Sequence, residues 1–256
     1  RRFIVDTRIL SEYNLITKDL TPYIEENFYI FQSFISEFKD ILMLWGGGYT
    51  FPTEFVSVFP EVKIDVVEID AQMEKISQEY FFLQESPNLH IIHTDGRYYL
   101  NTSEKKYDVI LSDAFSGLRT TPFQLTTIEA VQAMYNRLND DGVVVENLIS
   151  AIEWENATYL YARYATFKEV FDEVYVYAVS AVSTKEESQN IFLVALKWNT
   201  AKWKNETYKH ELLLREFSLV SVVNTPLILT DDYAPVEYIV APMNRQIRHN
   251  SINSFK

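Results

Sequence analysis

Short apolar runs that alternate with helical patterns constrain the fold of this chain more than any other feature of its sequence. Seven runs of strand length cover residues 41–45, 64–69, 89–92, 108–111, 142–146, 174–179 and 191–196. The early runs are almost continuously apolar, as expected for strands that are covered on both faces. Between them, a capping box of Thr126 with Glu129 predicts one helix start, and another is expected near Ser150. The repeated strand–helix order predicts an α/β fold with a doubly wound, mostly parallel Rossmann-like sheet.

The sequence predicts three parts. Residues 1–38 are expected to form a small N-terminal β-element, and residues 39–200 a nucleoside-binding Rossmann-like domain. Residues 201–256 are expected to form a C-terminal helix and a segment that folds back toward the site. The strands of the N-terminal element are predicted at residues 3–5, 13–17 and 28–31.

Composition restricts the partners. The chain has 256 residues, of which 47% are hydrophobic, and a formal net charge of −13. This charge argues against a nucleic acid and suits a small cationic substrate. The chain has no cysteine, and a metal pair of His90 and His93 is the less favoured interpretation, so no metal is expected. No uncharged apolar run reaches about 18 residues, so no part of the sequence is expected to span a membrane.

Three consecutive glycines, Gly46, Gly47 and Gly48, follow the first apolar run in the stretch WGGGYTFPTEF. Glycine there costs backbone entropy and contributes no packing, so another requirement must explain it. In a doubly wound sheet the first strand-to-helix turn contacts the ligand, and a Cβ in this turn would collide with a bound cofactor. The alternative is a tight turn without a ligand.

Acidic residues end the next strands. Glu68 lies about 20 residues beyond the glycines, where an acidic side chain can bind ribose hydroxyls. The third strand ends in Asp95 and Gly96, and the fourth in Asp113. Because the carboxyl ends of parallel strands share one edge, these groups are expected to form one site. The predicted cofactor-binding residues are Gly46, Gly47, Gly48, Glu68, Asp70, Asp95, Gly96 and Asp113.

The ligand class follows from this set of groups. The turn has no Gly-Lys-Ser/Thr and therefore does not predict a nucleotide triphosphate loop. A pyrophosphate would be repelled by so many carboxylates. A nucleoside with a positive charge fits better, which indicates S-adenosylmethionine or its decarboxylated form. Glu68 would then hold the ribose and Asp95 the adenine amino group, with Asp113 near the reacting carbon.

In order and spacing, six segments resemble the polyamine aminopropyltransferases, the spermidine synthase family. They are ILMLWGGGYTFP, VVEID, TDGRYYL, YDVILSDAF, PFQLTT and DGVVVENLI. The resemblance covers roughly residues 10–245 and is strongest to the branch in which such a domain follows transmembrane helices. That branch has Tyr-Thr-Phe-Pro after the glycines and Thr-Asp-Asp-Tyr-Ala-Pro-Val near the C-terminus, here Thr230 to Val236. The resemblance implies a homodimer in the cytoplasm, alone or as the soluble domain of a membrane protein, with Arg1 just after a lost membrane segment.

The resemblance also implies a reaction. An aminopropyl group would pass from decarboxylated S-adenosylmethionine to a polyamine such as putrescine, with release of methylthioadenosine. Asp113 would be the catalytic general base, and Tyr13 would lie in a segment that helps to close the site. The predicted substrate-binding residues are Tyr13, Ser116, Asn147, Asp231 and Asp232.

The sequence departs from the family pattern at charged positions. Relatives follow the glycines with an aspartate that binds the aminopropyl ammonium, and this position is Gly48 here. A second aspartate, three residues after the catalytic one, is Ser116 here, and Trp45 replaces the first glycine. Asp231-Asp232 could supply the lost carboxylates if the C-terminal segment folds over the site, or could only form a turn. Glu146 is another candidate for that role.

Three functions from different classes therefore stay open. The first is the aminopropyltransferase. The second is a methyltransferase that uses intact S-adenosylmethionine, in which a cation such as Arg97 or Arg119 would meet the carboxylate of the cofactor. The third is a nucleoside-binding module without catalysis.

Overall fold

The computed structural model describes residues 2–5, 8–12, 38–115, 120–153, 155–178, 185–197 and 227–245. The strands are β1 (Arg2–Val5), β2 (Arg8–Glu12), β3 (Asp40–Leu44), β4 (Lys63–Glu68), β5 (Leu89–His93), β6 (Tyr107–Ser112), β7 (Leu138–Ser150), β8 (Glu173–Ala178) and β9 (Gln189–Leu196). The α-helices are α1 (Thr50–Val58), α2 (Ala71–Tyr80), α3 (Gly96–Thr102), α4 (Ile128–Arg137), α5 (Thr158–Lys168) and α6 (Val236–Ile239). Within the described part of the chain, no helix combines the length and apolar character needed to cross a bilayer.

Seven of these strands form one sheet in the order β5-β4-β3-β6-β7-β9-β8. The pairs from β5 to β7 are parallel, and β9 runs antiparallel to both of its neighbours. The chain moves outward from β3 to β5 and then crosses to β6 on the other side of β3. The gap between β3 and β6 is therefore the topological switch point, where ligands bind in such sheets. The predicted mostly parallel, doubly wound sheet of class I methyltransferase type is confirmed.

Helices cover both faces of the sheet, which explains the continuous apolar runs. In β3, Ile41 and Met43 face one cluster, and Leu42 and Leu44 face the other, all with 3% exposure or less. The first cluster includes Tyr49, Phe51 and Phe55 around α1. The second contains apolar residues of α3 to α6. Burial of one such side chain contributes roughly 1.5–3 kcal/mol, so the strand is held from both sides.

Several predicted boundaries were wrong. The cap of α4 is Thr127, whose hydroxyl accepts from the Ala130 N–H, and not Thr126. The Glu129 carboxylate accepts the Asp231 N–H instead of closing a capping box. The helix expected near Ser150 begins later because β7 stays paired with β9 as far as Ser150, which keeps the backbone extended there.

The N-terminal element was predicted only in part. The strands β1 and β2 form an antiparallel pair, and β2 was not predicted. The strands predicted at residues 13–17 and 28–31, and the C-terminal helix, lie outside the described residues.

Candidate active site

The glycine turn connects β3 to α1 through unusual backbone conformations. Trp45, Gly47 and Tyr49 have φ values of 86°, 52° and 55°, in the left-handed region. At Gly46 an added Cβ would lie 2.5–2.9 Å from three ring carbons of Tyr49. The Tyr49 ring is fully buried in the core beside Phe51, as expected for packing beneath α1. The absence of a side chain at Gly46 thus makes room for the Tyr49 ring inside the protein, and the cofactor contact of this glycine stays a prediction.

The Glu68 carboxylate connects this turn to the end of β4 by hydrogen bonds. Its Oε2 accepts the Gly46 N–H at 3.0 Å, and its Oε1 accepts the Asp70 N–H at 2.9 Å. The side chain is 1% exposed. Burial raises the pKa of Glu68, while the backbone N–H groups of Asp70 and Gly46 oppose the shift. Two neutral donors thus hold a buried carboxylate at the site edge.

Asp70 and Asp95 both cap helices at this edge. The Asp70 carboxylate accepts the Gln72 N–H at the start of α2, and Asp95 accepts the Tyr98 N–H at 2.8 Å at the start of α3. These bonds satisfy N–H groups that have no partner within the helix. Gly96 is the first residue of α3. Asp70 is exposed and Asp95 is partly exposed, so neither carboxylate is closed off from solvent.

Asp113 follows β6 and lies beside β7. Its N–H donates to the Leu44 carbonyl at 3.3 Å, which places it next to the end of β3. Its Oδ1 accepts from Asn147 Nδ2 at 2.8 Å. Both side chains are buried, with exposures of 8% and 5%. The Oδ1 atom of Asn147 is a buried acceptor without a hydrogen bond in the described part of the protein.

The structure assigns Glu146 to a different role from the one predicted. Its carboxylate forms a two-pronged ion pair with Arg163 of α5, at 2.8–3.3 Å, and both side chains are fully buried. Burial raises the pKa of Glu146, and the positive charge of Arg163 opposes the shift. Arg163 also donates to the Thr126 carbonyl. Glu146 thus has its charge compensated inside the protein and does not replace a substrate-binding carboxylate.

Sequence analysis did not identify Arg163. The available signal was a single arginine inside an aromatic-rich helical segment, at a position surrounded by apolar residues. A buried arginine requires a paired carboxylate. The sequence did not specify which of its acidic residues would supply it.

Arg97 and Asp231 form a second link between distant parts of the chain. Arg97 Nη2 donates to Asp231 Oδ2 at 2.8 Å, and Thr127 Oγ1 donates to Asp231 Oδ1 at 2.6 Å. Arg97 Nη1 also donates to the Gln124 carbonyl. The segment around Asp231 therefore reaches the N-termini of α3 and α4, but its carboxylate is used to hold that segment. Asp232 is exposed in the same turn.

Three predicted residues cannot be placed, because Tyr13, Ser116 and Arg119 lie outside the described residues. His90 and His93 contact different carboxylates, those of Asp65 and Glu74. In the ranges that the structure describes, no group of three or more His, Asp or Glu side chains could hold a metal ion.

The remaining predicted groups meet at one edge. Backbone hydrogen bonds connect the ends of strands that are neighbours in the sheet. Trp45 N donates to Val67 O, Thr94 N to Glu68 O, and Asp113 N to Leu44 O. The glycine turn, Glu68, Asp95 and Asp113 therefore lie at the carboxyl ends of neighbouring strands, and Asn147 lies in β7 one residue past its pairing with β6.

Comparison with known proteins identifies the family. Residues 28–205 match the spermine/spermidine synthase domain, well over half of the 256 residues. The chain belongs to the spermine/spermidine synthase family. Among curated relatives of this family member, the polyamine aminopropyltransferase of Vibrio vulnificus is 29% identical over 197 residues, or 74% of this chain and 62% of that protein. The chain thus spans less than two thirds of the length of this relative.

Solved structures agree with the fold of this spermine/spermidine synthase family member. A probable spermidine synthase from Corynebacterium glutamicum aligns with a TM-score of 0.64 and 26% identity, covering 75% of this chain and 71% of that one. Human methyltransferase-like protein 13, in complex with SAH, aligns with a TM-score of 0.62 and 19% identity over 80% of this chain and 98% of that one. The second likeness shows a shared fold alone.

Proposed function

We propose that this chain transfers an aminopropyl group from decarboxylated S-adenosylmethionine to a polyamine such as putrescine. The observation that carries the proposal is the buried Asp113–Asn147 pair beside the switch point of a spermine/spermidine synthase domain. The amine nitrogen attacks the carbon next to the sulfonium, the carbon–sulfur bond breaks, and methylthioadenosine leaves. The amine proton passes to Asp113.

The Asp113–Asn147 pair suits an attacking amine. Asn147 donates to one oxygen of the Asp113 carboxylate and so sets its orientation. The same amide keeps its Oδ1 as a buried acceptor. An amine with two N–H groups could donate to Asp113 and to Asn147 together, which fixes the nitrogen for in-line attack. Such positioning and proton acceptance are the main contributions that this reaction requires of a protein.

The nucleoside would lie along β4 and β5. Each oxygen of Glu68 accepts one backbone N–H and can accept a second hydrogen bond. We assign those second bonds to the ribose hydroxyls, and the adenine amino group to Asp95. Asp70 and the glycine backbone would line the same edge.

The charge of Arg97 bears on the choice of cofactor. In a methyltransferase that uses intact S-adenosylmethionine, a cation must compensate the carboxylate of the cofactor. Arg97 was one candidate, and its guanidinium is paired with Asp231 at 2.8 Å. The decarboxylated cofactor lacks this carboxylate and therefore needs no compensating cation.

Titration calorimetry and a turnover assay test the proposal. The ligands are decarboxylated S-adenosylmethionine, S-adenosylmethionine and methylthioadenosine, and the acceptors are putrescine and spermidine. We expect preference for the decarboxylated cofactor, and Asp113→Asn should lower turnover by about 10²–10⁴-fold while the nucleoside still binds. The exposed Asp141→Asn is the matched control. Preference for the intact cofactor would indicate methyl transfer, and nucleoside binding without turnover would indicate a non-catalytic module.

We further propose membership of the branch fused to transmembrane helices, with this chain as a cytoplasmic, self-associating domain. The support is the pair of branch motifs, Tyr-Thr-Phe-Pro after the glycines and Thr230 to Val236. The full reading frame of the gene and sedimentation of the purified chain test this. A complete frame without apolar segments of about 20 residues, or a monomer at all concentrations, would contradict the respective part.

A further inference from the structure

Trp45 has a backbone conformation that large side chains rarely adopt. Its φ of 86° lies in the left-handed region, where a bulky residue is a genuine outlier. Two hydrogen bonds to residues of β4 hold the conformation, because Trp45 N donates to the Val67 carbonyl at 2.8 Å and Gly46 N donates to Glu68 Oε2 at 3.0 Å. Strained residues of this kind cluster where a ligand is bound.

Trp45 is also placed at the centre of the site edge. Leu44 pairs with Ser112 across β3 and β6, and the Asp113 N–H donates to the Leu44 carbonyl. Parallel neighbours lie about 4.8 Å apart, so Trp45 and Asp113 leave adjacent strands side by side. On the other side of β3 lies Glu68. The backbone of Trp45 therefore lies between Glu68, proposed to bind the ribose, and Asp113, the proposed general base.

The indole has an aromatic partner across the switch point. The rings of Trp45 and Phe115 are 6.3 Å apart at an interplanar angle of 83°, an edge-to-face arrangement. Both side chains are partly exposed. The Trp45–Phe115 pair thus joins the end of β3 to the segment just after Asp113.

We infer that the Trp45–Phe115 pair recognises the positive charge of the cofactor, at its sulfonium or propylammonium group, by cation–π contact. This inference rests on the proposed function and names how the same site holds a cation. An aromatic face attracts a cation without a formal negative charge, and the attraction increases when water is excluded. Trp45 stands in the same turn as Gly48, which has no side chain that could hold a cation. It would also shield the amine from water beside Asp113.

Two variants at one position separate charge recognition from packing. Trp45→Leu and Trp45→Phe both keep a Cβ at the same φ, and both are apolar, but only phenylalanine has an aromatic face. Calorimetry would compare neutral methylthioadenosine with decarboxylated S-adenosylmethionine. A third ligand, the thioether that keeps the propylammonium and lacks the sulfonium methyl group, separates the two charges.

We expect Trp45→Leu to lower the preference for the decarboxylated cofactor over methylthioadenosine by about 2- to 30-fold, and Trp45→Phe to keep most of it. Phe115→Leu should act in the same direction. If Trp45→Leu does not fold, Trp45→Gly, which relieves the backbone strain, replaces it. Equal weakening of the charged and neutral ligands would overturn the inference. Failure of the unmodified protein to bind methylthioadenosine would instead overturn the proposed nucleoside site.

Discussion

Two buried carboxylates on β4 show how the opposite edges of the sheet differ. Asp65, nearer the amino edge, contacts Lys105 Nζ at 3.0 Å, Tyr107 Oη at 2.7 Å and His90 Nδ1 at 3.2 Å. Glu68, three residues later at the carboxyl edge, accepts only backbone N–H groups among the hydrogen bonds of the described chain. The first carboxylate has a cationic partner in the protein, and the second is held by neutral donors.

The difference between the two carboxylates also appears in the electrostatics of their surroundings. Burial lowers the pKa of Lys105, but Asp65 and Asp40 raise it by more, so the ammonium stays charged beside them. At Glu68 burial raises the pKa, and no cation among the described residues offsets the loss of water. In the proposed function, the carboxylate with a cationic partner contributes to the fold, and the carboxylate held only by neutral donors binds the ribose. Glu146, paired with Arg163, belongs to the first kind although it lies near the site.

The largest effect is expected at Arg163. Arg163→Met leaves Glu146 as an unpaired buried charge, which should lower the free energy of unfolding by about 3–5 kcal/mol. Urea unfolding measures this, with the exposed Lys168→Met of the same helix as control. Adding Glu146→Leu to Arg163→Met should restore much of the loss. A double variant as unstable as the single one would contradict the assignment of Glu146 to the paired kind.

Next in size is Glu68→Gln, which tests the carboxyl edge. An amide can accept only through one atom, so one of the two backbone donors and a ribose hydroxyl lose their acceptor. The affinity for methylthioadenosine should fall by about 10- to 100-fold, corresponding to about 1.5–3 kcal/mol for hydrogen bonds to a charged group. The exposed Glu79→Gln is the matched control. Unchanged affinity would mean that Glu68 only stabilises the glycine turn and does not bind the ribose.

Asp65→Asn tests the amino edge. It removes the charge that pairs with Lys105 and should lower the free energy of unfolding by about 1–3 kcal/mol. Nucleoside affinity should stay the same, because the network lies at the opposite edge from the site. Weaker binding of methylthioadenosine by folded Asp65→Asn would contradict the assignment of Asp65 to stability and of Glu68 to binding.

The smallest expected effect is a pH dependence that arises at Glu68. Its pKa in the folded protein is raised above the ordinary 4.5. Protonation therefore favours the folded state, and this contribution to stability is complete below the unfolded pKa and is lost as pH rises through the folded pKa. Ribose binding needs the carboxylate, so affinity for methylthioadenosine should fall as pH is lowered from about 7.5 to about 5. Calorimetry of Glu68→Gln should show neither the change in stability nor the fall in affinity with pH. A similar fall in the affinity of the variant would assign the titration to another group.

Much of the fold was predictable because its signals are local. Apolar runs located all seven strands of the main sheet, since strands covered on both faces show an unbroken pattern. Helix starts were less certain: Thr126 and Thr127 are equivalent as caps in sequence, and the paired backbone of β7 delayed the next helix beyond Ser150. The turn after β3 was located correctly, but the contact between Gly46 and the Tyr49 ring was not predicted, because it depends on how the turn folds back on itself.

The sequence by itself determined the order of strands and helices, the edge at which the acidic residues gather, and the family. Tertiary structure decided which charges are already paired. Arg97 meets Asp231 from 134 positions away, and Arg163 meets Glu146 from 17 positions away. Periodic patterns are set by the local backbone and can be read from neighbouring residues. Ion pairs depend on which distant surfaces pack together, and this packing determines which of the buried carboxylates has a cationic partner.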